Sequence, residues 1–163
     1  MTVSDFPTQV GQFLSFGLLP ETIGLLSVDQ LTEVLQVPVA QVVPIPQMPV
    51  WTLGIYNWRG EILWLVDLGQ FLGLAASPPT QQHGSVHYAV LLIHGQGGHR
   101  LGLVVARTED IMVKSQAELQ PLGGSLFPPT LTKLSRGYWR NAEGEALILL
   151  DGEAVLQSLL SHT

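Results

Sequence analysis

The chain of 163 residues contains no cysteine. That removes disulfides, thiolate nucleophiles and cysteine-ligated metals in one step. Charge is scarce as well. Asp, Glu, Lys and Arg make up 12% of the residues, well under the usual share of a soluble domain. Positive charge is scarcest: seven Lys and Arg stand against 13 Asp and Glu, for a net charge of −6. The first 58 residues hold no Lys or Arg, yet carry Asp5, Glu21, Asp29 and Glu33. Such a chain repels phosphate backbones, which argues against nucleic acid as a partner. Long apolar runs are also missing. None approaches the roughly 20 residues that span a bilayer. The N-terminus MTVSDFPTQV lacks the cationic-then-apolar order of a secretory leader. These absences predict a cytoplasmic protein with no direct membrane insertion.

What is present is apolar. Hydrophobic residues are 46% of the chain. They are enough either to fill an ample core or to leave apolar surface exposed, and exposed apolar surface marks a partner. Strand patterns dominate. In QFLSFGLL, Leu14, Phe16 and Leu18 share one face, and TIGLLSV follows. VDQLTEVL fits a helical stripe through Val28, Leu31, Val34 and Leu35, yet also permits a strand. VPVAQVVPIPQMP is proline-rich, and so extended, irregular or an edge. WTLGIYNW and EILWLV form a hairpin around Arg59-Gly60, with Gly60 supplying positive φ. DLGQFLGL is a short helix capped by Asp67 and ending near Gly73. The loop 77–85 is the natural subdomain boundary. VHYAVLLIH and RLGLVVA form a second hairpin around GQGG. RTEDIMVK is a strand, and 121–130 a loop. RGYWRN and EALILL form a third hairpin around Glu143-Gly144. DGEAVLQSLL is a closing helix capped by Asp151, with Val155, Leu156, Leu159 and Leu160 on its apolar side.

A short repeat runs through this order. GEILWLVD (60–67) and GEALILLD (144–151) both read Gly-Glu-x-Leu-x-Leu-x-Asp. Glycine turns the hairpin, alternate leucines enter a core, and aspartate ends the strand and caps the next helix. Two such units predict two small β-barrels side by side. The repeat isolates Arg59, whose counterpart is Glu143. The turn does not need arginine for its own geometry.

Arg59 is therefore either a solvated hairpin tip or a partner contact, with Glu33 and Asp29 as candidate ion-pair partners. Trp51, Trp58 and Trp64 fall within 14 residues. Each is either core or, beside an arginine, part of an interface hot spot. No catalytic or metal site assembles. His83, His87, His94, His99 and His162 have no supporting ligand pattern. GQGG lies between strands and lacks a following Lys-Ser/Thr. No Gly-x-Ser-x-Gly elbow appears. Asp67 and Asp151 are explained as caps. The chain reads as no enzyme, and no cofactor is implied.

The segments LSVDQLTEVLQ and VVPIPQMPVWTLGIYNWRGEILWLVDLGQFLG resemble the CheW family of chemotaxis coupling proteins. Gly54, Ile55, Asn57, Arg59, Gly60, Ile62, Asp67 and Leu68 fill that family's Gly-Val/Ile-x-Asn-x-Arg-Gly-x-Ile…Asp-Leu pattern. VLLIHGQGGHRLGLVVARTEDI and GEALILLD are similar to its later hairpins, so the resemblance covers about residues 11 to 160. It implies two intertwined SH3-like five-stranded barrels and a non-catalytic adapter in a two-component system. The implied partners are the regulatory domain of a CheA-like histidine kinase and the cytoplasmic tip of a chemoreceptor or photoreceptor. By position it places Leu31, Glu33 and Arg59 on or beside the binding surface and pairs Glu33 with Arg59. The neighbouring aromatics Tyr56, Trp58 and Trp64 join them as candidates. The domain organisation expected is one unit over 1–163. Residues 10–76 and a closing segment give the first barrel, 86–150 the second, and 151–161 the last helix. Trp64, Gly69 and Ala106 depart from the family pattern of Pro, Arg and Asp. They fit a divergent member serving phototaxis or twitching motility, with a response regulator as a further partner. The competing readings are a small β-barrel that binds nucleic acid or a small ligand, and a small hydrolase.

Overall fold

The computed structural model describes residues 10–19, 22–74, 86–123 and 126–162. The loop 77–85 thus lies outside the described residues. The strands are β1 (Val10–Leu19), β2 (Thr22–Ser27), β3 (Leu31–Pro38), β4 (Thr52–Trp58), β5 (Glu61–Asp67), β6 (His87–His94), β7 (Arg100–Val105), β8 (Arg107–Ser115), β9 (Ser135–Arg140) and β10 (Ala146–Leu150). The helices are α1 (Leu68–Phe71), α2 (Pro129–Leu134) and α3 (Gly152–Leu160). No helix among the described residues is long and apolar enough to cross a membrane.

Ten strands form two five-stranded sheets, ordered β8-β1-β2-β10-β9 and β3-β6-β7-β5-β4. Neighbours run antiparallel except β10 with β2 and β5 with β7. Each sheet curls until its ends meet. Val43, just past β3, bridges Ile55 of β4, and Gln120, past β8, bridges Tyr138 of β9. We call these the terminal barrel (β1, β2, β8, β9, β10) and the central barrel (β3 to β7).

The strand order divides the chain differently from 10–76 with a closing C-terminal segment and shared elements against 86–150. Each half of the chain sends its first two strands into the barrel built mainly by the other half. β1 and β2 join β8, β9 and β10, while β6 and β7 join β3, β4 and β5. The exchange places Leu14 and Phe16 of β1 in one apolar cluster with Leu91, Ile93, Leu101 and Leu103 of β6 and β7. That cluster lies between the barrels and is the largest core. It also takes in Leu131 of α2 and Val155, Leu156 and Leu159 of α3. Burying each such leucine stabilises the fold by about 1.5–3 kcal/mol. A smaller core fills each barrel. Val37, Leu63, Leu65, Val90, Leu92 and Val104 fill the central one. Phe13, Leu25, Trp139, Leu147 and Leu149 fill the terminal one.

VDQLTEVL resolves into a 3-10 turn, Val28–Gln30, and then strand β3. Its half-buried and exposed residues alternate at period two rather than 3.6. α2 is an element the sequence reading missed, since 121–130 was expected as loop throughout. Its proline at the first position costs no hydrogen bond, and Leu131 and Leu134 are buried.

The repeat is visible in the backbone. Asp67 and Asp151 each accept a hydrogen bond from an amide three residues on, Gln70 and Ala154. Gly54 and Gly137 occupy matching places beside the closing bridges, with φ of +144° and +139°. A Cβ there would run into the carbonyl oxygens of Val43 and Gln120. Only glycine lets each barrel close at that point.

Candidate partner-binding site at the mouth of the central barrel

The β4–β5 turn opens this site. Arg59 and Gly60 both take left-handed backbone, φ 52° and 84°, as a two-residue I′ hairpin requires. Asn57 Oδ1 accepts from the Gly60 amide at 2.9 Å and braces the turn. Glycine is at ease with positive φ, whereas an arginine there costs about 1–2 kcal/mol.

The turn aims Arg59 across the barrel seam. Its Nη2 lies 3.1 Å from Glu33 Oε1 on β3. β3 and β4 are opposite ends of the sheet, so the ion pair joins the two edges of the curled sheet. Glu33, not Asp29, is the partner. The Arg59 side chain stays 69% exposed. A second pair follows, Arg100 Nη1 of β7 to Glu61 Oε1 of β5 at 2.9 Å. Between the pairs stands Trp58. The Arg59 guanidinium lies 4.9 Å and that of Arg100 5.3 Å from its ring centre. Thr32 of β3 and His94 of β6 bond at 2.7 Å. The mouth of the barrel thus carries a circuit of polar pairs around a half-buried tryptophan.

Of the residues singled out from sequence, Arg59, Glu33 and Trp58 come together here. Tyr56 and Trp58 pack on the interior of the central barrel, and Leu31 and Trp64 on the core between the barrels. None of these four is a freely exposed anchor. Sequence reasoning missed Arg100, Glu61 and Ile62. Ile62 is 63% exposed and shares its outward face with Trp64, so alternation along β5 was an available signal. Arg100 carried none, because only the long-range β5–β7 pairing brings it to Glu61.

The terminal barrel provides an internal comparison. Asn141 stands in the place of Trp58, and Ala142-Glu143-Gly144 replaces Arg59-Gly60. Asn141 Oδ1 accepts from the amides of Glu143 and Glu145, and Nδ2 donates to Glu145 Oε1 at 2.8 Å. That turn satisfies itself, and the cation beside it, Arg140, is spent on the Gly144 carbonyl at 2.8 Å.

Chemistry is not in view. No cluster of three or more His, Cys, Asp or Glu among the described residues could hold a metal. Asp67 is buried, and burial pushes its carboxyl above the ordinary 3.8, against the hydrogen bonds from Gln70 and Gly69 that favour the anion. Its Oδ2 has no hydrogen-bond partner. It caps α1 and faces no cavity described below.

A family model of the CheW-like domain matches residues 12–160. The chain belongs to that family. It is 29% identical over 118 residues to the chemotaxis protein CheW of Rhizobium meliloti, covering 71% of this chain and 69% of that protein. It is 30% identical over 76 residues to a probable chemotaxis protein CheW of Rhizobium etli, covering 47% and 45% of the two chains. Its fold matches the crystal structure of the scaffolding protein TtCheW from Thermoanaerobacter tengcongensis. The TM-score is 0.70 at 19% identity, over 86% of this chain and 88% of that one. In this CheW-like chain the departures from the family pattern sit in ordinary structural roles. Trp64 half-covers the core between the barrels, Gly69 is buried in α1, and the Ala106 amide donates to Gly17.

Proposed function

We propose that this chain is a non-catalytic, cytoplasmic adapter that couples a receptor tip to a CheA-like histidine kinase through protein–protein contacts. The observation that carries the reading is Arg59. It is held on a left-handed backbone the matching turn does without, it is largely exposed, and Glu33 and Trp58 fix its direction. A fixed charge at the edge of an apolar surface sets register and specificity. Leu31, Glu33 and Arg59 form the contact surface, with Ile62 as its exposed apolar element. The acidity of the chain supports this over the reading as a nucleic-acid-binding barrel, for which filter binding to single-stranded nucleic acid at low salt is the direct check.

The test is a tagged pull-down from the native cell extract, wild type beside Arg59→Glu, read by mass spectrometry. Wild type recovers a CheA-like kinase or a receptor, and the variant does not. Recovery of the same partners by both would reduce Arg59 to a hairpin tip. Loss of all signalling proteins from both, with both folded, would remove the adapter reading. The partners recovered assign the pathway as chemotaxis, phototaxis or twitching motility. A response regulator among them would be the further partner.

A further inference from the structure

The terminal barrel is open at the end away from its Gly144 turn, and a cavity of about 590 Å³ lies there. It shares no residue with the mouth of the central barrel. Phe13, Leu149 and Leu150, all buried, form its floor, and Val10 and Val113 stand at its wall. Two 3-10 turns frame it, Val28–Gln30 and Gln116–Glu118. Each is pinned by the serine before it. Ser27 Oγ accepts from the Asp29 amide at 3.2 Å, and Ser115 Oγ from the Ala117 amide at 3.3 Å.

One cation and one anion line this cavity, Arg136 and Asp29. They do not pair with each other, and none of the ion pairs among the described residues includes either. Arg136 is placed by a β-bulge. Ser135 pairs with Leu150 and Gly137 with Leu149, so Arg136 is the extra residue between them. Bulges re-aim side chains beside functional sites. The central barrel carries the same bulge at Leu53, between Thr52 and Gly54, and there the side chain packs on the barrel core. The bulge therefore does not require an arginine. Gln30 gives its Oε1 to the Gly152 amide at 3.1 Å, which leaves its Nε2 hydrogens for the cavity. Gln12 and Gln116 add two further amides. Opposite charges held apart fit a ligand charged oppositely at its two ends. Side-chain amides donate and accept as peptide groups do, and so match them. A phosphorylated ligand would set its repeated negative charge against Asp29 with one cation to balance it. The volume is that of an ordinary small-ligand site, about 300–1,000 Å³.

We propose that this cavity binds a short free peptide, about two or three residues long. Its carboxylate lies on Arg136, its ammonium on Asp29, and an apolar side chain over Phe13 and Leu149. The glutamine amides bond the peptide groups between. The proposal does not depend on the adapter reading.

The probes are the tripeptide Ala-Leu-Ala, its N-acetyl form and its C-terminal amide, each titrated into isotope-labelled full-length protein by NMR. The free tripeptide shifts the backbone amides of Asp29, Gln30, Gln116 and Arg136. Each cap weakens binding by about tenfold or more, as expected for the loss of a hydrogen bond between charged groups. Arg136→Gln weakens the free peptide by a similar factor and leaves the affinity for the amide unchanged. Asp29→Asn does the same with respect to the acetylated form. Both side chains are exposed, so neither change disturbs the core. Arg59→Gly alters none of these affinities, which separates the cavity from the adapter surface. Affinity that survives acetylation but not amidation would mean that the cavity reads a protein C-terminus, and would overturn the proposal. So would shifts elsewhere, absence of binding, or equal affinity for the free and capped peptides.

Discussion

Replacing Arg59 with glycine separates what the fold needs from what a partner needs. The side chain makes one exposed ion pair with Glu33, worth about 0.2–1 kcal/mol. It also lies over Trp58, a contact worth about 0.5–1 kcal/mol at an exposed site. Both are lost. Against this, glycine relieves about 1–2 kcal/mol of left-handed backbone strain at φ 52°. It returns about 0.4–1 kcal/mol of that through the greater entropy of the unfolded chain. The sum runs from about 2 kcal/mol of destabilisation to about 1 kcal/mol of stabilisation. For a chain of this size that lowers Tm by no more than about 8 °C, or raises it by no more than about 4 °C, in thermal unfolding followed by circular dichroism. Partner affinity behaves differently. An arginine anchor lost from an interface costs about 2 kcal/mol or more, roughly 30-fold in Kd. Titration calorimetry against the recovered kinase regulatory domain or receptor fragment reads this directly. The control is Glu143→Gly at the matching turn, with neither effect. A fall in Tm beyond about 10 °C would show Arg59 to be a structural clamp. Affinity within threefold of wild type would show that it touches no partner.

Gly54→Ala and Gly137→Ala each destabilise the protein by about 2–4 kcal/mol in chemical denaturation, because a Cβ meets the carbonyl of the closing bridge and the φ is one L-residues resist. Similar losses from the two variants confirm that the glycines serve one purpose in two barrels. Leu156→Ala, fully buried between the barrels, costs about 2–5 kcal/mol and lowers both barrels in one transition, which hydrogen exchange resolves strand by strand. Asp67→Asn keeps the cap on α1 but removes a carboxyl whose folded pKa is raised by burial. The folded state binds that proton more tightly, so wild-type stability declines as pH rises from about 3.8 through the folded value. The variant lacks that decline, and its Tm relative to wild type increases from pH 3 to pH 7. A relative Tm that falls over this range would reverse the sign of the burial effect.

Local elements were legible because each carried its own signal. Alternation marked β1, glycine placed the three hairpins, and a capping aspartate marked α1 and α3. The Glu33–Arg59 pair was legible from the family pattern and the lack of any other early cation. What the sequence did not show was long-range. Nothing local says that β1 and β2 leave their own half, because strand patterning specifies which face is buried and not which neighbour buries it. Arg100 was invisible for the same reason. Trp58 and Tyr56 were misread in part. Their residue types suit an exposed hot spot, but the inner parity they share with Leu63 and Leu65 across the hairpin sends them toward the barrel interior. α2 was hidden by its length, since six residues opening on proline give too little periodicity to separate helix from loop.

The duplicated architecture supplies its own control for assigning function. Both barrels must close, cap a helix and turn a hairpin, and they do so with matching residues: Gly54 and Gly137, Asp67 and Asp151, Gly60 and Gly144. Those positions answer to the fold. Trp58 and Asn141, or Arg59 and Glu143, occupy matching places yet differ, and here the fold is satisfied either way. The Asn141 turn is polar, self-bonded and low in strain, the outcome local physics favours. The Arg59 turn takes the costlier course, with a cation on left-handed backbone, a tryptophan at the mouth, and two carboxylates recruited to balance two guanidinium groups. One barrel end has been left to the demands of folding. The other departs from them in the direction that makes a rigid, charged and partly apolar surface, which is why we propose the central barrel's mouth for partner recognition.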